Sequence, residues 1–164
     1  MKPAFKQLLQ IGIIVRDVDA SVKKFEEDFG MGPWDVSYMS NDGHCKDLTI
    51  DGKPFDGKVS KMAFLHRYGM EFELIEPIGD TPYKEWLDEH GPGIHHIAVV
   101  TEDDYDVVLD KYRSEKGQEP WIRGQGMNNL MDFSYLDYRD ELGIIVECYR
   151  NIAPGRSAID YDPQ

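Results

Sequence analysis

The feature that most constrains this chain is an internal repeat, because a repeat specifies the architecture of both halves together. The first half begins with the apolar strand segment 8–15, and the similar segment 94–100 begins the second half. When these segments are aligned, Gln10 coincides with His96, and an acidic turn with an amphipathic helix follows each. The last strands also match, so that Glu73 coincides with Glu147. The sequence therefore predicts the order β-α-β-β-β twice, joined by a short helix.

Periodicity and capping signals place the elements within the two halves. We predict a helix over 20–29, with Asp19 as its N-cap and Gly30 as its stop. The turn-rich stretch from Ser40 to Lys58 predicts a long loop or a hairpin. The other predicted elements are strands near 34–39, 59–65, 70–76, 119–123, 132–137 and 143–149, and helices near 80–91 and 103–116.

Length and charge narrow the class of protein. The 164 residues suit one domain (1–164), with module one at about 8–76, a linker helix at about 80–91, module two at about 94–150 and a C-terminal tail at 151–164. A net charge of −13 repels phosphate, so we expect neither nucleic acid nor a membrane surface as a partner. The two cysteines form no CxxC motif, and no signal peptide is recognisable, so we expect a cytoplasmic protein.

Strand parity gathers four polar residues on one face of the predicted sheet. Side chains alternate across a strand, and the face opposite the apolar one carries Gln10, Glu73, His96 and Glu147. Burying two carboxylates without partners is costly, whereas a divalent cation accepts oxygen and imidazole ligands together and cancels the charge. The four residues are therefore candidate metal ligands. The alternative is that they lie at strand ends, hydrogen-bonded or hydrated, without a metal.

Other polar residues receive less specific predictions. The same parity places His95 on the helix-facing side as a structural histidine, and His44, His66 and His90 lie in loop-like or turn-like surface contexts. Lys61 either faces the polar side, where it could hold a substrate carboxylate or act as an acid, or is a solvated strand lysine. Three residues of the second half are candidates for the lining of the site: Asp132, Tyr135 and Tyr149.

Three blocks of sequence together span about residues 8–150: QIGIIVRDVDASVKKFEEDFGMGPW, FELIEPIGDTPYKEWLDEHGPGIHHIAV and LGIIVECY. In these blocks the chain resembles the vicinal oxygen chelate superfamily, also called the glyoxalase/bleomycin-resistance/dioxygenase fold. The resemblance implies an α+β fold, in which two βαβββ modules form a mixed-sheet cup around a divalent metal. In that family the first and fourth strands of each module carry the ligands, which correspond here to Gln10, Glu73, His96 and Glu147.

Within the superfamily, the blocks and the ligands resemble two different branches. The middle block closely resembles methylmalonyl-CoA epimerases, whereas a Gln, Glu, His, Glu ligand set is similar to that of the eukaryotic type of glyoxalase I. The epimerases usually have histidine at the position of Gln10. They also have a second catalytic glutamate on the third strand, where the stretch 60–63 of this chain has no carboxylate.

The resemblance implies a metal-dependent isomerase, epimerase or lyase that moves a proton next to a metal-polarised carbonyl. The substrate would be a small carbonyl compound or an acyl thioester, with Glu147 or Glu73 as the base and Zn, Co, Ni, Mn or Mg as the metal. A lactoylglutathione lyase and a metal-free binding protein of the bleomycin-resistance type are the alternatives. A dioxygenase is disfavoured, because its facial triad needs two histidines. We also expect a homodimer, with 5–9 and 150–164 as candidate contacts.

Overall fold

The computed structural model describes residues 4–41, 45–126 and 130–152. The predictions for His44 and for the tail beyond residue 152 lie outside these ranges. The strands are β1 (Gln7–Ile14), β2 (Asp35–Ser40), β3 (Lys46–Ile50), β4 (Lys53–Pro54), β5 (Lys58–Arg67), β6 (Met70–Pro77), β7 (Gly93–Val100), β8 (Ile122–Gly126), β9 (Met131–Tyr138) and β10 (Ile144–Asn151). The helices are α1 (Val18–Phe29), α2 (Pro82–His90), α3 (Tyr105–Lys116), preceded by a 3-10 turn at Glu102–Asp104, and α4 (Arg139–Leu142).

The ten strands of the described residues belong to one curled sheet in the order β2-β5-β6-β1-β7-β10-β9-β8-β3-β4. The first strands of the two halves, β1 and β7, pair antiparallel at its centre, and each pairs in parallel with the last strand of its own half, β6 or β10. The predicted α+β fold of two βαβββ modules in a mixed sheet is therefore confirmed. The turn-rich stretch of the first half forms the hairpin β3–β4, and β3 pairs with β8 of the second half.

The helices cover the sheet on different faces. On the outer face, α1 packs with Val18 over Leu74, and α3 packs with Leu109 over Val146, each within an apolar cluster. The linker helix α2 instead joins the largest cluster, on the inner face of the curl, through Tyr83. No helix in the described ranges has the length and apolar content needed to cross a bilayer.

Helix α1 starts two residues earlier than the sequence predicts. The side chain of Asp17 accepts a hydrogen bond from the backbone N–H of Ala20 at 2.8 Å, so Asp17 and not Asp19 is the N-cap. Asp19 lies in the first turn and pairs with Lys61 at 2.6 Å. Lys61 is thereby held on the outer side, against α1. Gly30 ends the helix in the left-handed conformation with φ 64°, as predicted.

Two bulges interrupt the alternation of side chains in the central strands. The register of β1 with β7 shifts between Leu8 and Gln10, and again between Gly12 and Ile13. Each shift inserts one extra residue, Leu9 in β1 and His95 in β7. Two consecutive side chains then point to the inner face at each bulge. The prediction that His95 points to the face opposite His96 is wrong for this reason, although His95 is buried, as expected of a structural histidine, and packs against Tyr83 and Trp86 of α2.

Candidate metal centre

The four predicted ligands lie on the four central strands of the sheet, and the structure brings them together. Gln10 on β1, Glu73 on β6, His96 on β7 and Glu147 on β10 are each at most 2% exposed. Nε2 of His96 lies 3.1 Å from Oε1 of Gln10, 3.3 Å from Oε2 of Glu73 and 3.2 Å from Oε2 of Glu147. One ligand atom each from Glu73, His96 and Glu147 lies within 4.8 Å of the others.

The donor set fits a divalent cation. Oε2 of Glu73 is buried and forms no hydrogen bond, since its 3.3 Å contact with Nε2 of His96 does not have hydrogen-bond geometry, although buried carboxylate oxygens are normally satisfied. A cation held between Glu73, His96 and Glu147 would supply that partner and offset both negative charges. Carboxylate oxygen, imidazole nitrogen and amide oxygen are ligands that Zn, Co, Ni, Mn and Mg accept in different proportions. The set therefore does not select one metal among these.

The pKa values at the centre depend on burial and on mutual contact. Burial raises the pKa of Glu73 to about 7, against the lowering effect of His96. For His96, burial alone would lower the pKa, but the carboxylates of Glu147 and Glu73, at 3.2 and 3.3 Å from Nε2, raise it to about 9. A proton on His96 thus offsets the carboxylates in the same way as a cation would. Proton and divalent cation are alternative occupants of the centre, because a coordinating imidazole must be neutral.

Neighbouring side chains orient the candidate ligands. The side-chain N–H of Gln10 donates to Glu71, and because an ionised carboxylate only accepts, the amide oxygen of Gln10 is turned toward His96. Nδ1 of His95 lies 3.0 Å from Nδ1 of His96, which leaves Nε2 of His96 for the centre. The Tyr149 hydroxyl lies 2.9 Å from Oε2 of Glu147 and 3.2 Å from Oε1 of Gln10.

A cavity of about 480 Å³ opens above the centre, with Glu73 and Glu147 in its wall. Its lining is mainly apolar and aromatic, and includes Tyr135 and Tyr149, as predicted. Asp132 does not line it and instead forms an ion pair with Arg150, so that prediction is wrong. The strand alternation of β9, which turns Tyr135 inward, turns Asp132 outward.

Three polar residues of β2, β5 and β6 form what we call the rim cluster, which consists of Asp35, His66 and Glu71 and lines the cavity. Nε2 of His66 lies 2.6 Å from Glu71, and this hydrogen bond raises the pKa of His66. The His66 side chain is 54% exposed, so it lies at the surface as predicted, but it also belongs to the cavity wall. His90 is exposed, as predicted.

Gly12 allows His96 to approach the centre. A Cβ atom built on Gly12 would lie 1.9 Å from Cε1 of His96, so no side chain fits there unless the imidazole moves. We expect Gly12→Ala to lower the free energy of unfolding by roughly 1–3 kcal/mol and to displace His96. Chemical denaturation measures the loss. The matched control is Gly93→Ala, whose Cβ would make an ordinary contact of 3.5 Å with Trp86, and equal losses in both variants would contradict the prediction.

Comparison with known families identifies the class of protein. Residues 9–129 match the model of the Glyoxalase/Bleomycin resistance protein/Dioxygenase superfamily, which covers well over half of the chain. The chain therefore belongs to this superfamily, as the resemblance in sequence predicted. No sequence among the curated proteins matches it at a significant level.

Solved structures with the same fold include several methylmalonyl-CoA epimerases. The enzyme from Mycobacterium tuberculosis has a TM-score of 0.65 and 20% identity, with 93% of this chain and 93% of that chain covered. A variant of the Streptomyces coelicolor enzyme, in complex with 2-nitronate-propionyl-CoA, has a TM-score of 0.62 and 22% identity, with 91% and 96% covered. A methylmalonyl-CoA epimerase in complex with methylmalonyl-CoA and NH4+ has a TM-score of 0.63 and 21% identity, with 96% and 99% covered. At these identities the likeness establishes the fold.

Proposed function

We propose that this protein is a metal-dependent isomerase, epimerase or lyase that transfers a proton at the carbon next to a substrate carbonyl. The observation that carries the proposal is the convergence of Glu73 and Glu147, which line a largely apolar cavity, on the buried His96, with one carboxylate oxygen that forms no hydrogen bond. A metal-free binding protein would gain nothing from that buried, unsatisfied oxygen, which therefore favours the metal-dependent enzyme over the binding protein.

The metal would be held by Gln10, Glu73, His96 and Glu147. When bound, a divalent cation polarises a carbonyl oxygen and makes the adjacent C–H bond more acidic. The side chains that orient these four residues hold them in place before substrate arrives, since Glu71 fixes the amide of Gln10 and His95 contacts the imidazole of His96.

Glu147 is the base that the geometry favours. Its carboxylate lines the cavity, so it can reach a substrate proton, and its Oε2 accepts a hydrogen bond from the Tyr149 hydroxyl. That hydrogen bond moderates the charge of the carboxylate and orients it while the proton moves. Glu73 also lines the cavity and is the second candidate for the base.

The similar structures favour epimerisation next to a thioester, because they are methylmalonyl-CoA epimerases. Glyoxalase I-like isomerisation of a hemithioacetal, a lactoylglutathione lyase reaction, is the second candidate. The amide oxygen of Gln10 supports it, since that oxygen faces the centre as a Gln, Glu, His, Glu ligand set requires.

The homodimer inferred from the resemblance stays a prediction. Phe5 and Leu8, which belong to its candidate contact, are 49% and 44% exposed.

Hydrogen exchange with solvent tests the proposed chemistry without knowledge of the natural substrate. Acyl thioesters and hemithioacetals with an acidic C–H next to the carbonyl are incubated in D2O with metal-loaded protein or with chelator-treated protein. We expect NMR to show deuterium incorporation at that carbon with the metal-loaded protein and loss of this activity after chelation. Exchange that is equally fast in both samples, or absent with every compound although metal is bound, would contradict the proposal.

A further inference from the structure

We propose that the part of the substrate that enters the cavity is uncharged and largely apolar, so that a carboxylate or phosphate next to the reacting carbon is rejected. This inference rests on the proposed function, because it concerns the substrate of the same site. A methylmalonyl group, which carries a carboxylate, is thereby excluded as the part that enters the cavity. A carbonyl compound with alkyl or aryl substituents is favoured instead.

The charged side chains of the cavity wall are mostly acidic. Four carboxylates line it, those of Asp35, Glu71, Glu73 and Glu147, whereas no lysine or arginine of the described residues does. A divalent cation at the centre would offset Glu73 and Glu147 but would leave the two carboxylates of the rim cluster. His66 is the histidine of the lining, and its ring nitrogen already contacts Glu71 at 2.6 Å. Apart from a metal at the centre, whose charge Glu73 and Glu147 offset, an entering anion would therefore meet net negative charge and no uncommitted cationic side chain among the described residues.

The basic residues of the wall strand β5 are engaged elsewhere. Lys61 pairs with Asp19 on the outer side, at 2.6 Å. Lys58 lies over the ring of Tyr38, with Nζ 4.4 Å from the ring centroid, and Arg67 donates to the backbone carbonyl of Gly32 at 3.1 Å. None of the three lines the cavity. Apart from His66, which already contacts Glu71, β5 thus provides no basic side chain to the cavity.

The remaining lining indicates what does fit. Its apolar side chains come from both halves of the chain, and they include Leu9, Met39, Met62, Phe64, Met131 and Phe133. Three methionines among them give the wall adaptable, polarisable contacts. The volume of about 480 Å³ is within the range of small-molecule sites. Apolar substituents would therefore be buried here at a gain, whereas a charged one would be desolvated without a partner.

A matched pair of probes tests the inference, namely the N-acetylcysteamine thioesters of 2-methylmalonate and of 2-methylacetoacetate. The two differ in that a carboxylate is replaced by an uncharged acetyl group of similar shape, and both carry an acidic C–H. We expect isothermal titration calorimetry, with Zn²⁺-saturated and with metal-free protein, to give at least about tenfold tighter binding of the uncharged probe. Equal or tighter binding of the anionic probe would overturn the inference.

Variants locate the source of the discrimination. Asp35→Asn is expected to tighten binding of the anionic probe several-fold relative to that of the uncharged probe, because the variant removes one rim charge. Glu27→Gln, on the exposed face of α1, is the control and should change neither affinity. If Asp35→Asn and Glu27→Gln behave alike, the rim is not the source and the inference fails. Deuterium exchange with the same probes separates the two proposals: preferential binding of the uncharged probe without exchange would refute the proposed reaction only.

Discussion

Replacing His96 by alanine is expected to abolish metal binding and turnover together. Its Nε2 is the nitrogen on which the candidate ligands converge, at 3.1–3.3 Å from Gln10, Glu73 and Glu147. Removing a residue that hydrogen-bonds to a metal ligand typically weakens metal binding 10–100-fold, so removing the ligand itself should weaken it by at least about 100-fold. Titration calorimetry with Zn²⁺ measures the affinity, and the D2O exchange assay measures the activity.

The matched control is His90→Ala. His90 is exposed at the end of α2 and stacks on Trp86, away from the centre, so both metal affinity and activity should be retained. Circular dichroism checks that each variant is folded. Metal affinity of wild-type strength in folded His96→Ala protein would show that His96 is not a ligand.

Glu147→Gln is expected to separate metal binding from catalysis. The amide oxygen can still coordinate a metal and can still accept the hydrogen bond of Tyr149, so much of the metal should remain. An amide cannot take up the substrate proton, and removing a positioned general base typically lowers the rate by ~10²–10⁴-fold. Metal analysis and the exchange rate, measured on the same preparation, give both quantities.

The companion variant Glu73→Gln decides which carboxylate is the base. If Glu147 is the base, Glu73→Gln should keep a substantially higher exchange rate than Glu147→Gln at equal metal content. Exchange by Glu147→Gln at a rate near that of the wild type would assign Glu147 as a ligand only. The base would then have to be Glu73 or another group of the cavity wall.

The repeat made most of the fold and the four central residues predictable. Where strands keep strict alternation, parity places side chains correctly, and this brought Gln10, Glu73, His96 and Glu147 to one face. His95 was misplaced because a bulge breaks the alternation one residue before His96, and a bulge of this kind leaves no signal in a single sequence.

Contacts that depend on strand register could not be predicted. The pairing of His66 with Glu71 follows from the register of β5 with β6. The pairing of β2 with β5 brings Asp35 to the same rim of the cavity. The turn signals between Ser40 and Lys58 indicated a hairpin or loop, but they carry no information on its partner strand, β8. The rim of the cavity therefore depends on long-range strand pairing, whereas the residues at its floor follow from the repeat and from the alternation of side chains along each strand.

The most direct test of the proposed metal centre is the metal content of the wild-type protein, purified without chelator and measured by inductively coupled plasma mass spectrometry. We expect close to one divalent cation per chain, held by Gln10, Glu73, His96 and Glu147, and little metal in His96→Ala purified in parallel. Wild-type protein that carries no metal above background, and binds none when Zn²⁺, Co²⁺, Ni²⁺, Mn²⁺ or Mg²⁺ is added, would show that these residues form no metal centre.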